Sequence, residues 1–337
     1  MDLLTETLGR IQPGDADASA AAQAALDAKT KPRGSLGRLE ELACRIASVR
    51  RTAAPGQLRA AVVVAAADHG VAREGVSAYP QEVTRQMLAN FNVGGAAVCV
   101  LARAAGAALR VVDAGVGTPT ASIAAGPAMG RADALHWVDR GITVAGELSA
   151  DGVGIVALGE MGIGNTTSAA ALSAALLSGD PAPVCGRGTG VDDEGLARKV
   201  DVVTRALRSN PVDAADPLGV LAALGGFEIA FLVGLALGGA AERLVVVLDG
   251  FITAAAALVA ARLEPSAVDA MLAAHLSPEP GHRLVLDALG LEPLLDLQMR
   301  LGEGSGATLA LPLLHASLAV LGDMATFESA GVTDAGR

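Results

Sequence analysis

Six stretches of the chain share one pattern, a continuous apolar run that breaks abruptly into a polar or glycine-rich turn. They are AAVVVAAADHG at 60–70, LRVVDAG at 109–115, GIVALGEMGIGNTT at 154–167, APVCGRGTG at 182–190, RLVVVLDG at 243–250 and DAMLAAHLSPEPG at 269–281. A strand covered on both faces needs apolar side chains at every position, so such runs predict a buried parallel sheet. The Ala-rich part of the last run, 269–276, fits a helix as well as a strand. Between the runs, GGAAVCVLARAAG and SAAALSAALLSG have the length of crossover helices. The alternation predicts an α/β fold with an open parallel sheet and right-handed connections.

The two ends of the chain differ from its middle. AAAQAALDAKT and GRLEELACRIASV near the start have helical periodicity, as do RLVLDALG, LEPLLDLQMRLG and ATLALPLLHASLAVLGDMATF near the end. This predicts two domains: an α/β domain over 58–284, and a smaller helical one assembled from 1–57 together with 285–337. No period of 20–50 residues recurs. The most apolar stretch, IAFLVGLALGGAA at 229–241, lies between Glu228 and Glu242 and is too short to span a bilayer. The first residues lack the basic-then-apolar pattern of a secretory signal. A cytoplasmic protein with no membrane partner is the expectation.

Composition narrows the function. The formal charge is −11, with no basic block, and aromatic residues make up only 2% of the 337. Neither a polyphosphate-binding face nor a base-stacking platform is expected, so nucleic acid is not a predicted partner. Cys44, Cys99 and Cys185 are scattered without a Cys-x-x-Cys pair, which fits isolated thiols in a reducing compartment.

In open parallel sheets ligands bind beyond the carboxyl ends of the strands. Those ends here carry Asp68-His69, Asp113, Glu160, Arg187-Gly188-Thr189, Asp249 and His275-Leu276-Ser277. In LGEMGIGNTTSAAAL, three glycines and Asn165-Thr166-Thr167 lead from a strand into a helix. Free N–H groups and the helix dipole suit one phosphate there, although a capped turn without ligand has the same sequence. The spacing matches neither a Walker loop nor a dinucleotide fingerprint. Lys199, one helical stretch after GRGTG, is a candidate point charge for that phosphate, or a solvated helix lysine.

Glu303 stands in LGEGSGAT, just before a helix expected to begin near 306–308. Two roles fit it: an ionised group that accepts a proton from bound substrate, or a residue that stabilises only its own helix. His69 has no second His or Cys at ligand spacing, so it is expected to be a structural loop histidine and no metal is predicted. Ser305 lacks the strand–elbow–helix setting of a hydrolase nucleophile.

Taken together, KPRGSLGRLEELA (31–43), DHGVAREGVSAYPQEVTRQML (68–88), GEMGIGNTT (159–167), GRGTGVDDEGLARK (186–199), GGFEIAFLVG (225–234) and LLDLQMRLGEGSGA (294–307) resemble one family. It is that of the nicotinate-nucleotide–dimethylbenzimidazole phosphoribosyltransferases, which make the lower-ligand nucleotide of cobalamin, and the resemblance covers most of 31–325. It implies a Rossmann-like large domain, a small helical domain and a homodimer. It also implies transfer of 5-phosphoribose from nicotinate mononucleotide to 5,6-dimethylbenzimidazole, without metal or cofactor.

By position, the resemblance makes Glu303 the catalytic glutamate and Glu160 a second one near the ribose. It assigns phosphate and ribose contacts to Gly162, Lys199, Ser277, Gly302 and Gly304, and base contacts to Tyr79, Met87 and Leu301. The chain departs from the family pattern at Arg33, where a second proline is usual, and between Val116 and Asp151, where a glycine-rich loop is shortened. Tyr79 and Met87 also suit adenine or a phenolic base. A non-catalytic nucleotide-binding protein on the same scaffold is the alternative from another class, and a dehydrogenase lacks its fingerprint.

Overall fold

The computed structural model describes residues 2–177, 179–188 and 190–333. In chain order the elements are α1 (Leu3–Arg10), α2 (Ala16–Asp27), α3 (Arg38–Arg50), β1 (Arg59–Ala66), α4 (Glu82–Asn92), α5 (Ala97–Ala104) and β2 (Ala108–Asp113). There follow α6 (Arg131–Ala150), β3 (Val153–Met161), α7 (Asn165–Leu177), α8 (Asp193–Ser209), α9 (Pro217–Leu224), α10 (Phe227–Ala241), β4 (Val245–Leu248) and α11 (Phe251–Leu263). The chain closes with β5 (Met271–Ala273), α12 (Pro280–Leu289), α13 (Ser305–Asp323) and α14 (Phe327–Ala330).

The five strands form one parallel sheet in the order β2-β1-β3-β4-β5, flanked by helices. Apart from Arg59 and Met161, every residue of β1 and β3 is buried, which is the covered-on-both-faces state that the unbroken apolar runs predict. The 269–276 run resolves as a short strand, β5, not a helix. Apolar 229–241 lies within α10 and is buried in the core. Contact there is very close: a side chain at Gly234 would come within 1.9 Å of the Val138 carbonyl, and one at Gly141 within 2.0 Å of that of Phe231.

Two expectations fail. The 182–190 run is a loop. Pro181 and Pro183 remove donors that a ladder needs, and the segment bonds to itself, with the Val184 and Cys185 amides donating to Pro181 and that of Gly190 to Arg187. Thr189, expected at that strand's end, lies outside the described residues. Nor is 291–302 helical. Pro293 holds Glu292 extended, and Leu294 and Leu295 donate to Ala273 and Ala274 while Leu276 donates to Leu295, so this stretch runs beside the open edge of β5.

Around α2, α3 and α13 a second small core gathers Ala22, Leu26, Ala43, Cys44, Ala47 and Leu321. Its loop is locked by a buried ion pair, Lys31 Nζ to Glu40 Oε1 at 2.8 Å, and the Leu36 amide donates to the same oxygen. α13 is long and apolar enough to cross a membrane, yet it packs against α2, α3, α5 and β3. All three cysteines are free and buried.

Candidate active site

A cavity of about 320 Å³ opens beyond the carboxyl ends of β3, β4 and β5. Glu160, Asp249, His275 and Ser277 line it from the strand ends, Gly162, Asn165 and Thr166 from the start of α7, and Val83 and Met87 from α4. Tyr79 and Leu301, both more than half exposed, stand at its mouth. A larger hollow of about 560 Å³ lies beside the amino end of β4, lined by Arg10, Arg51 and Arg243. It holds none of the strand-end groups, so the smaller cavity is the candidate.

Glu303 reaches this cavity through an unusual backbone. Gly302, Glu303 and Gly304 all have positive φ, at 84°, 64° and 81°. Left-handed backbone is easy for glycine but costs a glutamate about 1–2 kcal/mol. The turn presses on β3: a side chain at Gly159 would sit 2.5 Å from the Glu303 carbonyl, and one at Gly304 would sit 3.1 Å from Gly159 Cα. Gly304 therefore serves the contact with the sheet and does not line the cavity, whereas Gly302 does, against the Glu160 carboxyl.

α13 begins at Ser305, and its amino end is satisfied by another carboxylate. Asp249, just past β4, accepts from the Ala307 amide at 2.9 Å and from that of Gly304 at 3.3 Å. Glu303 is thus free of its own helix; its Oε2 accepts instead from Val98 at the start of α5, at 3.4 Å. The carboxyl is buried, and burial raises its pKa, with the Val98 amide opposing and Asp249 adding to the rise. The start of α13, expected from the sequence to favour its charge, is thus taken by Asp249, and desolvation acts on Glu303 in the opposite sense.

Glu160 is more strongly shifted. Burial pushes its pKa up to about 8, opposed by a hydrogen bond from Asn165 Nδ2 and reinforced by Asp249, Glu228 and Glu303. Burial likewise raises Asp249, against the pull of His275. Three acids, each with a pKa raised chiefly by burial, thus crowd one wall.

Lys199 is not a solvated helix lysine. It is fully buried, and its ammonium donates to Thr166 Oγ1 at 2.9 Å and to the Gly186 carbonyl at 3.0 Å. It does not touch the cavity directly; Thr166 and Gly188 lie between. Ser277 is on the wall, its amide donating to His282 Nδ1.

The strand-end groups divide. Asp68 accepts from Gly117 and Asp113 from Gly115 and Val116, so both shape loops and neither lines the cavity. His69 is buried behind Gly162, with Nε2 2.7 Å from Glu228 Oε1 and Nδ1 3.2 Å from Ser168 Oγ. Among the described residues no three His, Cys, Asp or Glu side chains gather as a metal would need. Ser305 Oγ donates to the Gly302 carbonyl and is a turn residue. The sequence marks Asp249 and Asn165 only as strand-end and turn positions, with no role assigned, and does not mark Glu279 at all.

A family model described as phosphoribosyltransferase matches residues 11–332. The nicotinate-nucleotide–dimethylbenzimidazole phosphoribosyltransferase of Geobacter sulfurreducens is 52% identical, over 99% of both chains. That of Chloroflexus aggregans is 51% identical at the same coverage. The chain belongs to the nicotinate-nucleotide–dimethylbenzimidazole phosphoribosyltransferase family. The crystal structure of CobT from Thermus thermophilus superposes with a TM-score of 0.90 at 49% identity, covering 94% of this chain and 99% of that one. A member of this phosphoribosyltransferase family is a pentosyltransferase, an enzyme that moves a five-carbon sugar.

Proposed function

We propose that the enzyme moves 5-phosphoribose from nicotinate mononucleotide to 5,6-dimethylbenzimidazole, giving α-ribazole 5′-phosphate and nicotinate. The observation that carries the mechanism is Glu303: a buried carboxyl on the cavity wall, relieved of helix capping by Asp249 and raised in pKa. The base attacks C1′ through the lone pair of one ring nitrogen, while the bond to the nicotinate nitrogen breaks and that nitrogen keeps the electron pair. Attack from the opposite face inverts C1′, so a β-nucleotide yields an α-product. The attacking ring would be left cationic, and Glu303 takes the proton from its other nitrogen, as general-base catalysis requires. A raised pKa makes that acceptor stronger.

Burial favours the neutral form of Glu160, raising its pKa to about 8. The cationic ring of the nucleotide favours its ionised form, and a carboxylate beside the ribose then stabilises positive charge developing at C1′. Gly162, Ser277 and Gly302, with Lys199 acting through Thr166, form the side suited to the phosphate. Met87, Tyr79 and Leu301 form the side suited to a flat base.

A homodimer belongs to this reading, as does a cytoplasmic location. Val93 and Val100, 81% and 52% exposed, offer apolar surface for a second copy, and sedimentation tests it. The deciding assay incubates the protein with nicotinate mononucleotide and a panel of bases and follows nicotinate. Release with dimethylbenzimidazole supports the proposal, release with adenine or phenols alone replaces the base, and release with none leaves a binding protein. Glu303→Gln is expected to keep the fold and lose about 100-fold or more in kcat; near-normal turnover in that variant removes Glu303 from the mechanism.

A further inference from the structure

The 186–188 turn, Thr166, Lys199 and Glu279 form a compact knot at one end of the cavity. The Gly188 amide donates to Glu279 Oε1 at 2.8 Å, and Gly188 has φ +52°. A side chain at Gly188 would sit 2.8 Å from Thr166 Oγ1 and 3.2 Å from Lys199 Nζ, while one at Gly186 would sit 2.4 Å from Glu279 Oε2. Both glycines therefore exist to let a carboxylate and an ammonium flank one short piece of backbone. Glu279 is 8% exposed, lines the cavity beside Ser277 and Thr166, and its Oε2 has no hydrogen-bond partner among the described residues.

A buried carboxylate with one oxygen unsatisfied needs a nearby positive charge to offset its desolvation. The nearby charge is that of Lys199, whose pKa burial lowers and Glu279 raises. Lys199, through Thr166, also serves the phosphate end of the proposed site, where Gly188 lines the cavity. Glu279 and a phosphate thus compete for one N–H and one field.

We infer that Glu279 is a resident counter-anion, holding the Gly188 amide and balancing Lys199 until the substrate's phosphate takes its place, and that it thereby sets how tightly phosphorylated substrate binds. The inference rests on the phosphate reading of the site. Arrival of the phosphate moves the carboxylate off Gly188, and the empty site is spared an unbalanced buried ammonium.

The test compares the whole protein with its Glu279→Gln and Glu279→Asp variants, using inorganic phosphate as probe. Phosphate affinity is read by protection against thermal unfolding and by inhibition of nicotinate release. Removing one like charge beside the anion tightens phosphate binding about tenfold in Glu279→Gln, while the unliganded variant melts lower. Glu279→Asp keeps the charge but withdraws it from Gly188, and gains about threefold. A support role alone moves affinity and stability down together, so opposite movement marks the counter-anion. Unchanged or weaker phosphate binding in Glu279→Gln, or in Glu279→Asp should the first not fold, overturns the inference. If the wild-type protein releases no nicotinate and binds no phosphate, the functional reading falls first and takes this one with it.

Discussion

At the scale of single residues, the site separates its acids by environment. Glu303 is buried with one long hydrogen bond, whereas Glu160 lies under the fields of three other carboxyls. The consequence for Glu160 appears in stability. Its pKa is about 8 in the folded protein against 4.5 for a free glutamate. Between those values the folded state keeps a proton that the unfolded chain has released, so stability falls as pH rises through that window. Glu160→Gln should flatten this part of the profile and be the more stable form above pH 8. Urea unfolding from pH 4 to 9 measures it, and parallel profiles for the two proteins would remove the shift.

At the scale of elements, the decisive contact is between β3 and the 302–304 turn. Gly159→Ala places a methyl group against the Glu303 carbonyl. It should cost about 1–3 kcal/mol as overpacking and, by displacing the turn, lower kcat/KM about 100-fold. Differential scanning calorimetry with steady-state kinetics separates the two effects, and a fully active variant would show the turn able to yield. Beside the small core, Lys31→Met strands the buried Glu40 in the first turn of α3 and should cost about 3–5 kcal/mol with little change in kcat. A loss below about 1 kcal/mol would mean that solvent reaches the pair.

These contacts also mark what the sequence disclosed. β1, β3 and β4 were legible because two-faced burial leaves an unbroken apolar run. The 182–190 segment imitates that signal with Val184 and Cys185, buried by tertiary packing of a loop, and the leucines of 291–302 imitate a helix while lying along a sheet edge. Strand-end position disclosed Glu160, His275 and Ser277 as wall residues. It gave no warning that Asp249 would cap α13 or that Glu279 would reach Gly188 across 91 residues, since both depend on how distant segments meet.

Across the whole molecule, the cavity lies where the sheet meets the long C-terminal segment, so a bound nucleotide ties the two together. Ligands that bind only the folded state stabilise it by mass action, about 2.7 kcal/mol at one hundred times Kd. Nicotinate mononucleotide should therefore raise Tm by several degrees, and Glu303→Gln should show the same rise, because its loss falls on proton transfer to the other side of the cavity. A variant that binds the nucleotide more weakly by about tenfold would instead place Glu303 in nucleotide recognition. A wild-type protein whose Tm ignores the nucleotide would place the binding site elsewhere.

Glu303, the proposed proton acceptor, is fastened to β3 by close main-chain contact at Gly159, with Asp249 holding the next amide. Of the side chains that would grip the incoming ring, Tyr79 and Met87 belong to a separate segment, just before and on α4, while Leu301 adjoins the turn itself. On the proposed reading, recognition is therefore separable from reaction at Tyr79 and Met87. On that reading, descendants of such a scaffold can exchange one heterocycle for another by altering Tyr79 or Met87 while the atom proposed to receive the hydrogen stays where it is.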